Sequence, residues 1–204
     1  MEPQTFEASP QEFVFATNNK NKIEEVQAAI GDQLILKGLK ESGLTDQLPE
    51  THDTLKANAL EKASYVHKKL GVDCFAEDTG LEVDALDGEP GVYSARYAGE
   101  EKDDEANIAL LLKKLQNIPQ RTARFRTIIA LIFREEWQIF EGTMEGEILN
   151  AKQGKGGFGY DPVFRPGGYK DSLAEMDLTS KNSISHRGQA VEQLVDFLTD
   201  YNDE

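Results

Sequence analysis

Apolar residues along this chain alternate between two spacings. Residues 12–16 (Glu-Phe-Val-Phe-Ala) form a short aromatic and β-branched run that reads as a strand. It ends in Thr17-Asn18-Asn19, side chains that suit a helix N-cap, and Ile23, Val26, Ala29 and Ile30 then recur at helical spacing up to Gly31. A second strand is expected over 34–39 and a loop over 40–49. Leu55, Ala59, Ala63, Val66 and Leu70 trace one stripe of a long helix over 53–70, which Gly71 closes. Residues 74–76 and 81–86 read as strand pieces flanking an acidic turn, Glu77-Asp78-Thr79-Gly80. A Gly-, Pro- and Tyr-bearing loop over 88–99 follows, then a helix from about 106 to 116 that stops before Pro119. Residues 124–133 and 137–141 predict a hairpin around Arg134-Glu135-Glu136, and a last helix is expected over 189–198. Strands alternating with helices, plus one hairpin, predict an α/β fold: a mixed central sheet flanked by helices.

The length, 204 residues, is enough for one substantial core. The longest apolar run, 128–133, is far too short to cross a membrane, and residues 1–12 carry three glutamates and no apolar signal core. The one cysteine, Cys74, reads as a buried thiol and leaves no internal disulfide, so a cytoplasmic setting is expected. A net charge of -15 argues against nucleic acid or an anionic membrane as partner. That charge is unevenly spread: residues 17–22 carry +2, 152–170 carry +3 and 179–189 carry +2, leaving -22 on the rest. The pattern predicts a basic island for a small anion.

Gly154-Lys155-Gly156-Gly157-Phe158-Gly159 satisfies the dinucleotide-binding pattern G-x-G-x-x-G literally. That mechanism needs a helix N-terminus beneath the pyrophosphate, and Tyr160-Asp161-Pro162 reads instead as a turn before a strand. The glycines suit close backbone approach to a flat ligand, leaving Phe158 and Asp161 to face it. Thr17-Asn18-Asn19-Lys20-Asn21-Lys22 gathers hydroxyl, amide and ammonium groups at a strand-to-helix junction, a good anion site. Glu77-Asp78-Thr79-Gly80 sets acids beside a buried run, where a carboxylate needs a cation or polar partners. Ser185-His186-Arg187-Gly188 offers donors ahead of the last helix.

Taken in order with Gly91-Val92-Tyr93-Ser94-Ala95-Arg96-Tyr97-Ala98-Gly99 and Gly157-Phe158-Gly159-Tyr160-Asp161-Pro162, these segments resemble the inosine triphosphate pyrophosphatases, which remove deaminated purine nucleoside triphosphates. The likeness runs from Phe13 to Leu198, with Asn18, Ala57, Glu77 and Thr79 departing from the commonest residues. It implies a two-lobed domain over 12–200 around a nucleotide cleft, and a homodimer; residues 1–11 lie outside the likeness and are expected to be a disordered extension. It implies hydrolysis of inosine, deoxyinosine or xanthosine triphosphate between the α- and β-phosphates, with one Mg²⁺ per active site. Asp78 is the expected proton acceptor, and Glu50 and Asp78 are the expected metal ligands. Whether Asp78 is base or ligand stays open. Thr17, Asn18, Asn19, Lys20, Asn21, Lys22, Thr79 and Lys181 are expected on the triphosphate. Phe158, Gly159, Tyr160, Asp161, His186 and Arg187 are expected around the base. Phe158 would stack on the purine, Asp161 would accept a ring N–H, and His186 and Arg187 would donate to the 6-oxo group. A nucleotide-binding module without chemistry and a pyrophosphatase for other damaged nucleotides are the alternatives. Retention of Glu50 and Asp78 weighs against the first.

Overall fold

The computed structural model describes residues 11–31 and 34–202. Of the expected disordered extension over 1–11, residues 1–10 lie outside the described residues, and Gln11 is corrected: it opens the first strand. Among the described residues, seven strands form one mixed sheet: β1 (Gln11–Phe15), β2 (Leu34–Lys37), β3 (Cys74–Val83), β4 (Pro90–Gly91), β5 (Thr122–Phe133), β6 (Glu136–Ile148) and β7 (Phe164–Pro166). Their order is β2-β1-β3-β5-β6-β7, with β4 paired to β3. β1 runs parallel to β2 and β3, and the other pairings are antiparallel. The helices are α1 (Lys20–Ile30), α2 (Leu55–Leu70), α3 (Asp104–Lys114), α4 (Leu178–Ile184) and α5 (His186–Asn202).

Local chemistry sets most of these boundaries. Asn19 caps α1 by accepting from the Lys22 amide, Thr54 caps α2 through the Ala57 amide, and Gly71 ends α2 in the left-handed conformation. Arg134 and Glu135, both at positive φ, form the two-residue turn of the β5–β6 hairpin. Three expectations are corrected. Residues 77–80 are no turn: β3 is continuous, and all ten of its residues pair with β5. Its acids are neutralised in place by buried Lys62 and Arg187 and half-buried Lys22, so tertiary context overrides their turn preference. Gly80 is there because a Cβ would lie 2.6 Å from the Gly91 carbonyl oxygen, where β4 crosses. α4 was not anticipated, and α5 starts at His186 rather than 189, so His186 and Arg187 sit in its first turn and not before it.

The sheet buries both faces. Phe13, Phe15, Phe75, Ile129 and Leu131 pack under α1 and α5, whereas Val14, Ala16, Cys74, Ala76, Ile128 and Ala130 pack under α2. Further along the same strands, Leu81, Val83, Phe125 and Met144 meet α3 and Phe164 in a third cluster. Cys74 is buried, its thiol 3.4 Å from the Ala63 carbonyl, and burial pushes its pKa up to about 12. No helix among the described residues is long and apolar enough to cross a membrane.

Candidate active site

Strand alternation on β3 delivers two carboxylates to opposite faces of the sheet. Glu77 points to the α1–α5 side and Asp78 to the α2 side, each almost fully buried. A buried carboxylate is costly unless paired, and both are paired.

On the α2 side, the Lys62 ammonium donates to Asp78 Oδ1 at 2.7 Å and to Glu50 Oε1 at 2.8 Å. The Asn58 amide donates to Asp78 Oδ2 at 3.3 Å, and Arg96 Nη1 donates to Glu50 Oε2 at 3.2 Å. Burial pushes the Asp78 carboxyl above its ordinary value, against the opposing pull of Lys62. Burial alone would raise Glu50 as well, but the Lys62 ammonium holds it below the usual range. Lys62 is buried yet firmly charged, because Asp78 and Glu50 outweigh its desolvation. Two hard carboxylates thus converge on one cationic position, which suits a divalent ion with oxygen preference. No group of three or more His, Cys, Asp or Glu converges among the described residues, so water and substrate oxygens would complete the shell.

On the other side, Arg187 binds Glu77 through both arms of its fork, Nε to Oε2 at 2.9 Å and Nη2 to Oε1 at 3.1 Å. Lys22 Nζ lies 2.8 Å from Glu77 Oε1. Burial would raise the Glu77 carboxyl, but Arg187 and Lys22 hold it well below the carboxylate range. Glu25 of α1 accepts from both Arg187 and Lys181, and Lys181 also donates to Asp161 Oδ2 at 2.7 Å. Asp161 in turn accepts from the Phe158 amide at 2.9 Å. Burial pushes Asp161 up. His186 stacks on Phe125 with ring centroids 4.8 Å apart and an interplanar angle of 12°. Burial, reinforced by the Arg187 charge, drives its pKa well below 6.5, so the ring is neutral. Its Nδ1 is buried without a hydrogen-bond partner among the described residues.

These groups wall a cavity of about 140 Å³ that brings together Asn19, Lys22, Thr79, Phe158, Gly159, Tyr160, Asp161, Lys181, His186 and Arg187, all expected from the sequence. Leu81, Ser94, Ala95, Asp104 and Phe125 complete it. Thr79 bonds across to Thr127 at 2.6 Å, and the Tyr160 hydroxyl donates to the Ser94 carbonyl at 2.9 Å. Thr17, Asn18, Lys20 and Asn21 are not in the wall: Thr17 Oγ1 accepts from the Asn19 amide, and the other three are exposed on the junction. Lys181, expected on the triphosphate, is instead buried under the Phe158 ring, 4.9 Å from its centroid, because Glu25 and Asp161 draw its ammonium there.

Several residues escape the sequence reading: Lys62, Asn58, Glu25 and Arg96. Asn58 and Lys62 each precede a residue of the α2 stripe, Ala59 and Ala63, and share its buried face. Polar residues four apart along an apolar stripe are the signal that could have marked them. Glu25 lies between Ile23 and Val26 in the same way, but its partners are more than 150 positions away.

The Ham1 family model matches residues 13–197. A dITP/XTP pyrophosphatase of Flavobacterium johnsoniae is 51% identical over 186 residues, covering 91% of this chain and 97% of that one. Another, of Porphyromonas gingivalis, is 52% identical over 189 residues, covering 92% and 97%. The solved Ham1 protein of Staphylococcus aureus superposes with a TM-score of 0.85 at 41% identity, covering 94% of this chain and all of that one.

Proposed function

The chain belongs to the Ham1 family, and from that premise we propose that it hydrolyses deaminated purine nucleoside triphosphates, among them inosine and xanthosine triphosphate, to the monophosphate and pyrophosphate. One observation carries the reading: a cavity walled by Phe158, neutral His186 and Arg187 adjoins, through Thr79 and Lys22, a raised-pKa aspartate held on a buried lysine.

At the base end, Phe158 offers a stacking face, and His186 and Arg187 offer N–H donors. Four of the five Arg187 donors are engaged by Glu77, Glu25 and Thr79, leaving one on Nη1. A 6-oxo purine accepts such donors. Adenine presents a 6-amino group there and leaves them unpaired in a buried site, which is where discrimination is strongest. The unpartnered His186 Nδ1 fits a wall that a ligand completes.

At the phosphate end, Asp78 accepts the proton of the attacking water. Its raised pKa makes it a stronger base than an exposed aspartate, and Lys62 and Asn58 fix its orientation. Glu50 is the more accessible acid, with 31% of its side chain exposed against 11% for Asp78, and so serves as the principal ligand of a divalent metal, read here as Mg²⁺. When bound, that metal offsets phosphate charge. Water adds at the α-phosphorus, and the bridging oxygen departs with pyrophosphate. Residues 12–200 act as one catalytic unit in this reading, and a homodimer is part of it.

The test is pyrophosphate release with Mg²⁺ across inosine, xanthosine, guanosine, adenosine and pyrimidine triphosphates. Inosine and xanthosine triphosphates should give kcat/KM about 10⁴-fold above adenosine triphosphate, the discrimination of a site built to bond a substrate polar group. Equal turnover of all would overturn the base reading, and no release from any would leave a binding module.

A further inference from the structure

The acidic run over 100–105 reads from sequence as a solvated helix start, and one member of it does something else. Asp103 is the N-cap of α3, accepting from the Glu105 and Ala106 amides at 2.8 and 3.1 Å. Asp104 is therefore not needed for the cap. Its Oδ2 accepts from the Gly159 amide at 2.8 Å, across 55 residues of sequence, and Asp104 lines the base cavity. The neighbouring amide, Phe158 N–H, rests on Asp161 Oδ2.

Two consecutive amides, one on each side of the Phe158 Cα along the chain, are thus held by two carboxylates from different elements. The segment has little stiffness of its own: Gly154, Gly157 and Gly159 all have positive φ. Such a run loses much conformational entropy when ordered, so ties from outside decide where Phe158 sits. At Gly157 a Cβ would lie 2.2 Å from Asp161 Oδ2, so the backbone lies directly on that carboxylate. Gly156 N–H donates to the Ala174 carbonyl at 3.0 Å and anchors the near end. Asp104 anchors the far end. Under this hold, the Phe158 ring stands 4.9 Å from the Lys181 ammonium and 5.8 Å from the Arg187 guanidinium.

We propose that Asp104 is a positioning residue for nucleobase recognition: its hydrogen bond to Gly159 N–H fixes the height of the Phe158 ring over the base seat. This rests on the reading of the cavity as a purine site.

The experiment uses the full chain with Asp104→Ala and Asp104→Asn, with inosine monophosphate as probe. That ligand carries the base but no scissile anhydride, so its affinity reads the seat whether or not the chain hydrolyses triphosphates. Calorimetric affinity should fall about tenfold in Asp104→Ala, about 1.4 kcal/mol, within the range of a charge-assisted hydrogen bond. It should stay within about twofold in Asp104→Asn, whose amide oxygen still accepts. For inosine triphosphate, KM should rise with kcat nearly unchanged. Amide exchange of the nucleotide-free protein should speed up over 157–160 in Asp104→Ala, with the amides of α3 as protected as before. Unchanged affinity in Asp104→Ala, or equal loss in Asp104→Asn, overturns the proposal. If wild type binds inosine monophosphate but releases no pyrophosphate from any triphosphate, the hydrolytic reading fails while the Asp104 comparison still stands.

Discussion

Glu77 and Asp78 are adjacent, carry the same group and are both buried, yet their environments drive them apart. Glu77 meets the Arg187 fork and Lys22 and is held ionised far below neutrality. Asp78 meets a lysine shared with Glu50 and is pushed up. Separation of this kind marks a structural anion and a base. Asp78→Asn should cut kcat about 10²- to 10⁴-fold, since it removes the proton acceptor while keeping the shape. Circular dichroism should show the fold intact, and near-normal pyrophosphate release would refute the role. Arg187→Ala is a poor probe of selectivity, because it breaks the buried pairs with Glu25 and Glu77 and leaves each acid on one lysine, Lys181 and Lys22. It should destabilise by about 3–5 kcal/mol in urea unfolding, as for broken buried pairs. Arg187→Lys keeps the charge, loses the fork and should fold, while its inosine-over-adenosine preference in kcat/KM declines. An unchanged ratio would place selectivity elsewhere. His186 adds a pH signature. Its folded pKa lies well below 6.5, so its contribution is full above about pH 6.5 and is lost as pH falls, because the unfolded chain takes up the proton first. Wild type should therefore lose stability relative to His186→Asn as pH drops from 6.5 towards 5, by up to about 1.4 kcal/mol per unit. Parallel stability–pH curves would contradict this.

At the scale of elements, amphipathic segments and their punctuation were readable in the chain: β1, α1, α2, the β5–β6 hairpin and the stops at Gly31 and Gly71 stand where expected. The failures share a cause. Residues 77–80 look like a turn because Glu, Asp and Gly favour turns locally, and only Lys22, Lys62 and Arg187, from three other elements, make a strand of them. The same long-range pairing hid Lys62 and Glu25, whose value lies in partners that sequence spacing does not reveal. Glycine contacts tell a similar story. Gly142 of β6 lies just past the strand expected over 137–141, and a Cβ there would fall 1.9 Å from the His186 carbonyl oxygen and 2.9 Å from the Ala190 amide. It lets the first turn of α5 rest against the sheet, and that turn carries His186 and Arg187. Gly142→Ala should cost about 1–3 kcal/mol of stability by overpacking and raise KM for inosine triphosphate by displacing that turn. A variant with wild-type melting and KM would show that α5 yields freely.

Across the whole molecule, the expected basic island does not survive the pairing pattern. At the base end Lys22, Lys181 and Arg187 face Glu25, Glu77 and Asp161, and at the phosphate end Lys62 and Arg96 face Glu50 and Asp78. Within these pairs cation and carboxylate balance, inside a chain of net charge -15. The site is thus a preorganised set of fixed dipoles, with little excess positive charge to offset a polyphosphate. The counter-charge has to come with a divalent cation, which explains why two acids stand where a purely cationic clamp would be simpler. Stability has no such requirement, since Lys62 and Arg96 already neutralise Glu50 and Asp78. Chelation should therefore separate the two properties. With excess EDTA, pyrophosphate release from inosine triphosphate should vanish and return with added Mg²⁺, while the melting temperature moves by less than about 2 °C, under 1 kcal/mol for a chain of this size. A large drop in melting temperature would mean that the metal is a structural element and that the lysine-centred pairing of the acids does not hold the fold by itself.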